Sequence, residues 1–158
     1  MTETLDFALE VTREAGQLLR RYVRQGYEVS HKSTDIDLVT EADLASEEMI
    51  VEAIRERFPD HTILSEEGLG DLQKIAGETT CLWLVDPLDG TVNYAHGFPV
   101  WGVSMALAER GTVVLGVTYD PLRDEMFWAE RGEGAWLDGQ RLQVSQAAGL
   151  RQALVATG

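Results

Sequence analysis

At the centre of the chain, Trp83-Leu84-Val85-Asp86-Pro87-Leu88-Asp89-Gly90-Thr91-Val92-Asn93 runs from an apolar stretch into two aspartates. Cys81 to Val85 is unbroken apolar sequence, as expected of a strand buried on both faces. Asp86 ends that run. Pro, Gly and Asn then mark the segment from Asp86 to Pro99 as mostly loop. Two carboxylates three residues apart on a tight turn can converge on one spot. Alone they repel, and each raises the pKa of the other. A divalent cation removes that conflict, and all-oxygen ligands favour Mg²⁺, Mn²⁺ or Ca²⁺ over zinc. The Leu88 carbonyl, lying between the aspartates, is a further hard ligand. Gly90 opens the backbone to close approach, and the N–H groups of Gly90 and Thr91 can cradle a phosphate.

Upstream, the short apolar run Thr62-Ile63-Leu64-Ser65 leads into Glu66-Glu67-Gly68 and repeats the design. If that strand lies beside strand 81–86, Glu66 meets Asp86. Residues 4–25 read as an amphipathic helix, with Leu5, Ala8, Thr12, Ala15, Leu19 and Tyr22 on one face and Gly26 as its stop. A weak strand over 27–32 and a polar turn over 33–37 follow. Thr40 with Asp43 makes a capping box for a second helix. This helix runs to Phe58, with Ala45, Met49, Ile50, Ala53, Ile54 and Phe58 on one face, and Pro59 ends it. Asp37, Thr40 and Asp43 form a third polar group at its start. Residues 69–80 are ambiguous.

Downstream, strands are expected over 101–109, 112–119 and 124–130. Asp138-Gly139 is a hairpin signal between Trp136-Leu137 and Leu142-Gln143-Val144. Another apolar stretch begins at 153–156. Helices first and several adjacent strands afterwards imply an α+β fold, N-terminal helices packed on a largely antiparallel sheet. The length of 158 residues fits one domain, 1–158.

Thirteen basic residues against 27 acidic ones give a net charge of −14, which disfavours nucleic acid and anionic membrane as partners. No 18-residue apolar run exists to span a bilayer. The acidic N-terminus lacks the basic start of a signal peptide, so the expected location is the cytoplasm. Cys81 stands alone, which excludes an intrachain disulfide and a thiolate zinc site. His31, His61 and His96 show no ligand spacing. The glycine pairs at 68–70 and 132–134 lack the third glycine of a dinucleotide fingerprint. Taken singly, Asp-Pro-x-Asp-Gly is an ordinary turn, Glu66-Glu67 a solvated edge, and Asp43 an acidic residue favoured by the helix dipole. Three acidic groups at element ends in one chain are what point to chemistry.

Asp86-Pro87-Leu88-Asp89-Gly90-Thr91-Val92-Asn93 resembles the first signature of the inositol monophosphatase family. The resemblance extends through Lys32-Ser33, Asp37-Leu38-Val39-Thr40 with Asp43, Ser65-Glu66-Glu67-Gly68, Phe98-Pro99, and Gly139-Gln140 to Val144-Ser145, in the family's order. It covers essentially the whole chain.

The resemblance implies a Mg²⁺-dependent, lithium-sensitive phosphomonoesterase of layered α/β/α/β/α architecture, acting as a homodimer on a small phosphorylated metabolite. Carried over by motif, Glu66, Asp86 and the Leu88 carbonyl would hold one metal, and Asp86 with Asp89 a second. Thr91, supported by Asp43, and Glu66 would position and activate the attacking water. The backbone from Leu88 through Asp89 and Gly90 to Thr91 would hold the substrate phosphate. Inositol monophosphate is the first expected substrate. Fructose 1,6-bisphosphate, a 3′-phosphorylated nucleotide (as for a 3′(2′),5′-bisphosphate nucleotidase) and histidinol phosphate are the alternatives. The family also has a second half with a Trp-Asp signature that completes the second metal. No Trp-Asp pair occurs here, so the chain is expected to match the N-terminal half only. A reading of another class follows from that: a non-catalytic, metal-binding half-domain.

Overall fold

The apolar spacing of the first helix dictates its packing. In the computed structural model, which describes residues 3–25, 29–31, 38–66, 68 and 80–155, α1 (Glu3–Gln25) buries Leu5, Ala8, Val11, Thr12, Ala15, Gly16 and Leu19. Gly16 is where α1 lies directly on the sheet: a Cβ there would sit 2.5 Å from the Tyr119 ring. Arg13 stacks over that ring and also binds Asp124, which accepts from the Tyr119 hydroxyl at 2.7 Å.

A small antiparallel pair follows, β1 (Val29–His31) and β2 (Leu38–Thr40). Helix α2 (Glu41–Arg57) begins with the expected capping box: Thr40 accepts from the Asp43 N–H, and the Asp43 side chain accepts from the Thr40 N–H. Its buried face differs from the expected one. Ala42, Asp43, Ser46, Glu47, Ile50, Val51 and Ile54 are buried, whereas Ala45, Met49 and Ala53 are only half-buried. Choosing apolar positions alone passes over polar residues that a helix buries for another purpose.

The remaining elements are β3 (Thr62–Ser65), β4 (Cys81–Asp89), α3 (Thr91–Ala95), β5 (Gly102–Glu109), β6 (Thr112–Asp120), β7 (Glu125–Glu130), β8 (Gly134–Leu137) and β9 (Gln140–Arg141), then a 3₁₀ turn, Leu150–Gln152. Strands β3 to β9 form one seven-stranded sheet in sequence order. Only β3 and β4 pair in parallel; the rest is antiparallel. The fold is therefore α+β, as expected. The hairpin signal at Asp138-Gly139 holds, and Arg110-Gly111 between β5 and β6 likewise takes the positive φ angles that a tight hairpin turn requires.

One face of the sheet packs on α1 and α2. Trp83 and Val85, then Val103, Met105 and Leu107, then Leu115, Val117 and Tyr119 alternate into this core. The other face is lined by Leu84, Ala106, Gly116, Phe127 and Ala135, all half-exposed, along an open groove of about 870 Å³. Strand β4 is thus buried on one face, not two, because no described element packs on the other.

Three further expectations are corrected. Asp86 to Asp89 continues β4 rather than opening a loop, and α3 was not foreseen. The second arm of the last hairpin stops at Arg141, so Val144 lies exposed. Residues 153–155, where the last apolar stretch begins, are exposed. The turn over 33–37, with Asp37, and most of the ambiguous 69–80 segment lie outside the described residues, as does Glu67.

Candidate active site

The parallel pairing of β3 and β4 sets the first relationship. Ser65 lies opposite Val85, and the Glu66 N–H donates to the Val85 carbonyl at 3.2 Å. Glu66 therefore emerges beside Asp86, as the short apolar runs foretold.

The second relationship comes from an irregularity in β4. Asp86 pairs with Ser104 and Asp89 with Gly102, so three residue steps on β4 oppose two on β5. One extra residue is accommodated as a β-bulge. Ser104 and Gly102, two apart, share a face of the sheet, so their partners Asp86 and Asp89 do too. The surplus is absorbed by Pro87 and Leu88, both buried, with Leu88 in the hydrophobic core.

Asp86 is half-buried, while Glu66 and Asp89 are exposed beside it. Burial, then the Glu66 carboxylate, then that of Asp89, pushes the Asp86 pKa up to about 7, against a hydrogen bond from the Leu88 N–H that favours the charged form. Its Oδ1 is buried without a hydrogen-bond partner. An orphaned carboxylate oxygen beside two more carboxylates is a donor set fitted to a hard cation. Among the described residues no group of three or more His, Cys, Asp and Glu side chains stands close enough together to hold a metal ion by itself. The three acidic groups form an open, one-sided rim.

A hydroxyl and carboxylate chain flanks this rim. The Thr91 hydroxyl lies 3.0 Å from the Leu88 carbonyl and 3.3 Å from Asp43 Oδ1. Asp43 Oδ2 accepts from both the N–H and the hydroxyl of Thr40. Asp43, 1% exposed, is thus clamped at the start of α2 with one oxygen aimed at Thr91. One turn along α2, the buried Ser46 hydroxyl donates to the Pro87 carbonyl at 2.9 Å.

Gly90 closes the segment with φ +87°, and a Cβ there would stand 3.0 Å from the Val100 carbonyl. Helix α3 is then fixed by the Tyr94 hydroxyl on the Leu19 carbonyl at 2.8 Å and by Asn93 on the Val100 carbonyl at 2.8 Å.

The structure therefore places Glu66 and Asp89 within electrostatic reach of Asp86, and links Asp43 and the Leu88 carbonyl through the Thr91 hydroxyl, the two sets being joined by the 86–91 segment. Asp37 and Glu67 lie outside the described residues. His96 pairs with its own helix through the Val92 carbonyl, and His61 accepts from Trp83; neither joins the site. Ser46 was missed by sequence reasoning. Its one signal was a small polar residue three positions after Asp43, on the same helix face.

The model of the inositol monophosphatase family matches residues 1–158. The chain belongs to that family. A fructose-1,6-bisphosphatase/inositol-1-monophosphatase of Thermotoga maritima is 39% identical over 156 residues, covering 99% of this chain and 59% of that protein. The Nus factor SuhB of Pseudomonas aeruginosa is 42% identical over 159 residues, covering 100% and 58%. The extragenic suppressor protein SuhB of Bartonella henselae, a solved structure, superposes with a TM-score of 0.84 at 34% identity, covering 92% of this chain and 55% of that one. The family's fold is thereby established for these elements, and its relatives include phosphatases. The chain spans somewhat under three-fifths of the length of these relatives.

Proposed function

We propose that this chain carries the metal-binding and water-positioning part of a Mg²⁺-dependent phosphomonoesterase that hydrolyses inositol monophosphate. The observation that supports it is the buried, partnerless Oδ1 of Asp86 beside the carboxylates of Glu66 and Asp89. Glu66, Asp86 and the Leu88 carbonyl would hold one cation, and Asp86 with Asp89 would contribute to a second. When bound, such a cation acidifies a water and neutralises phosphoryl charge.

The chain's own groups do the rest. Thr91 has one hydroxyl proton and two acceptors in reach, so it donates to one while its lone pairs remain open to a water. Asp43 is the acceptor that leaves Thr91 oriented as a hydrogen-bond acceptor toward solvent. Glu66 would take a proton from that water. The water oxygen bonds to phosphorus as the ester P–O bond breaks, the departing alkoxide takes a proton from solvent, and Glu66 returns its own to solvent. The turn from Leu88 to Thr91, with Gly90 open, would seat the phosphate.

The name of the Thermotoga relative supports a sugar or inositol phosphate as substrate. The test is phosphate release from inositol monophosphate, with fructose 1,6-bisphosphate, a 3′-phosphorylated nucleotide and histidinol phosphate alongside. Turnover that requires Mg²⁺ and vanishes in Asp86→Asn is expected; metal-independent turnover refutes the mechanism. The sheet face that no described element covers favours one second reading, a half-domain that binds the cation without catalysis. That reading predicts cation binding by calorimetry with no phosphate release from any of these esters.

A further inference from the structure

We propose that Ser46 is a positioning residue of the carboxylate rim, acting on Asp86 through a single peptide unit. Accepting this role rests on the reading of Glu66, Asp86 and Asp89 as a cation site.

The bulge in β4 creates the need. Pro87 and Leu88 have no partner residue on β5. Their buried carbonyls need donors. The Leu88 carbonyl is reached by the Thr91 hydroxyl and that of Pro87 by Ser46. Ser46 is 0% exposed and sits mid-helix, where a buried hydroxyl ordinarily turns back to its own helix. Here it crosses 41 residues of sequence to reach the bulge.

The carbonyl of Pro87 and the N–H of Leu88 belong to one planar unit. In a trans peptide they point in opposite directions. Ser46 holds the oxygen end, and the N–H end is the backbone group that favours the charged form of the adjacent Asp86 carboxylate. A rotation of this plane would withdraw that donor and turn the carboxylate. Ser46 and Asp43, one turn apart on α2, therefore fix the bulge at two points: Asp43 through Thr91, and Ser46 through Pro87.

Thr and Val at position 46 have nearly the same shape and differ by the hydroxyl, so packing effects cancel between them. Ser46→Ala serves as the small variant that avoids overpacking. Mg²⁺ titrated by calorimetry into wild type, Ser46→Ala, Ser46→Thr and Ser46→Val gives one readout; amide exchange at Leu88 without metal gives the other. The expected result is Mg²⁺ binding weakened about tenfold in Ala relative to wild type and in Val relative to Thr. Faster Leu88 exchange should accompany it in Ala and Val. Equal affinities and equal Leu88 protection across the hydroxyl and non-hydroxyl variants overturn the role of Ser46 while leaving the cation site standing. A wild-type chain that binds no Mg²⁺ overturns the site itself, and the Ser46 role with it.

Discussion

Asp86 and Asp89 face the same side of the sheet because β4 carries one residue more than β5 between them. In a regular strand, residues three apart point to opposite faces. The bulge at Pro87 and Leu88 reverses that for Asp89 and buries both intervening residues, Leu88 in the hydrophobic core. The carboxylate repulsion at this rim is therefore built in by backbone register, not by loop flexibility.

The repulsion is costly without a cation. A carboxyl whose pKa is raised on folding, here to about 7, contributes stability below its unfolded value and loses it as pH rises through the folded one. The metal-free chain should therefore become less stable between about pH 4 and pH 8 through this group. Asp86→Asn removes the charge and keeps the shape. At about pH 8 its melting temperature should exceed that of the metal-free wild type by about 2–4 °C, the response to ~1 kcal/mol in a chain of this size. The same variant should lose the rise that Mg²⁺ produces in wild type. Scanning calorimetry with and without Mg²⁺ checks both; a less stable, Mg²⁺-responsive variant contradicts the assignment.

Gly90 is the second consequence of the same turn. It adopts φ +87° with the Val100 carbonyl 3.0 Å from where a Cβ would stand. Gly90→Ala should cost about 1–3 kcal/mol, from backbone strain and from displacement of the Val100 strand entry. Urea denaturation measures the loss. An unchanged midpoint would mean the turn relaxes freely.

Much of this was legible in the sequence, and the gaps have identifiable causes. The helical spacing of Leu5, Ala8, Thr12, Ala15 and Leu19, the Thr40–Asp43 box, and the Asp138-Gly139 turn each encode local geometry, so they translated directly. The pairing of Glu66 with Asp86 was readable because both end short apolar runs. The bulge was not, since Pro87 reads as a loop residue and register is fixed only when β5 is laid alongside. Nor was Ser46, whose partner is a main-chain carbonyl that no side-chain pattern reveals. The apolar run at 81–85 suggested a strand covered on both sides, because composition records what a strand can bury and not what is present to cover it.

His61 gives a pH dependence of opposite sign. Its Nδ1 accepts from the indole of the fully buried Trp83 at 3.0 Å, and its ring stacks on Phe58. Burial lowers its pKa below the usual 6.5, although Asp60 and Glu109 pull the other way. Stability from this group is therefore present above about 6.5 and lost as pH falls through the folded value. Protonation turns the acceptor into a donor facing a donor. His61→Asn keeps an acceptor and cannot titrate. Between about pH 7.5 and pH 5, wild type should lose more stability than this variant. Tryptophan fluorescence during urea unfolding reports it, and parallel losses would remove the His61–Trp83 bond from the account.

The sheet face that no described element covers makes a different kind of claim. Ala106 and Gly116, with Leu84, Phe127 and Ala135 around them, line an open groove of about 870 Å³ whose walls are largely apolar. Apolar patches of this extent on a folded chain bind hydrophobic dyes and favour association. The chain should therefore enhance the emission of anilinonaphthalene sulfonate under native conditions, while retaining the near-ultraviolet circular dichroism that a loosely packed state loses. Ala106 lies at the middle of the groove, on the face away from α1 and α2, so a charge there meets no core residue. Ala106→Asp should cut the dye emission about twofold or more at an unchanged melting temperature within about 2 °C. If the dye signal survived that substitution, the bound surface would lie elsewhere, and the groove would not be the apolar face that the register of β4 to β8 presents.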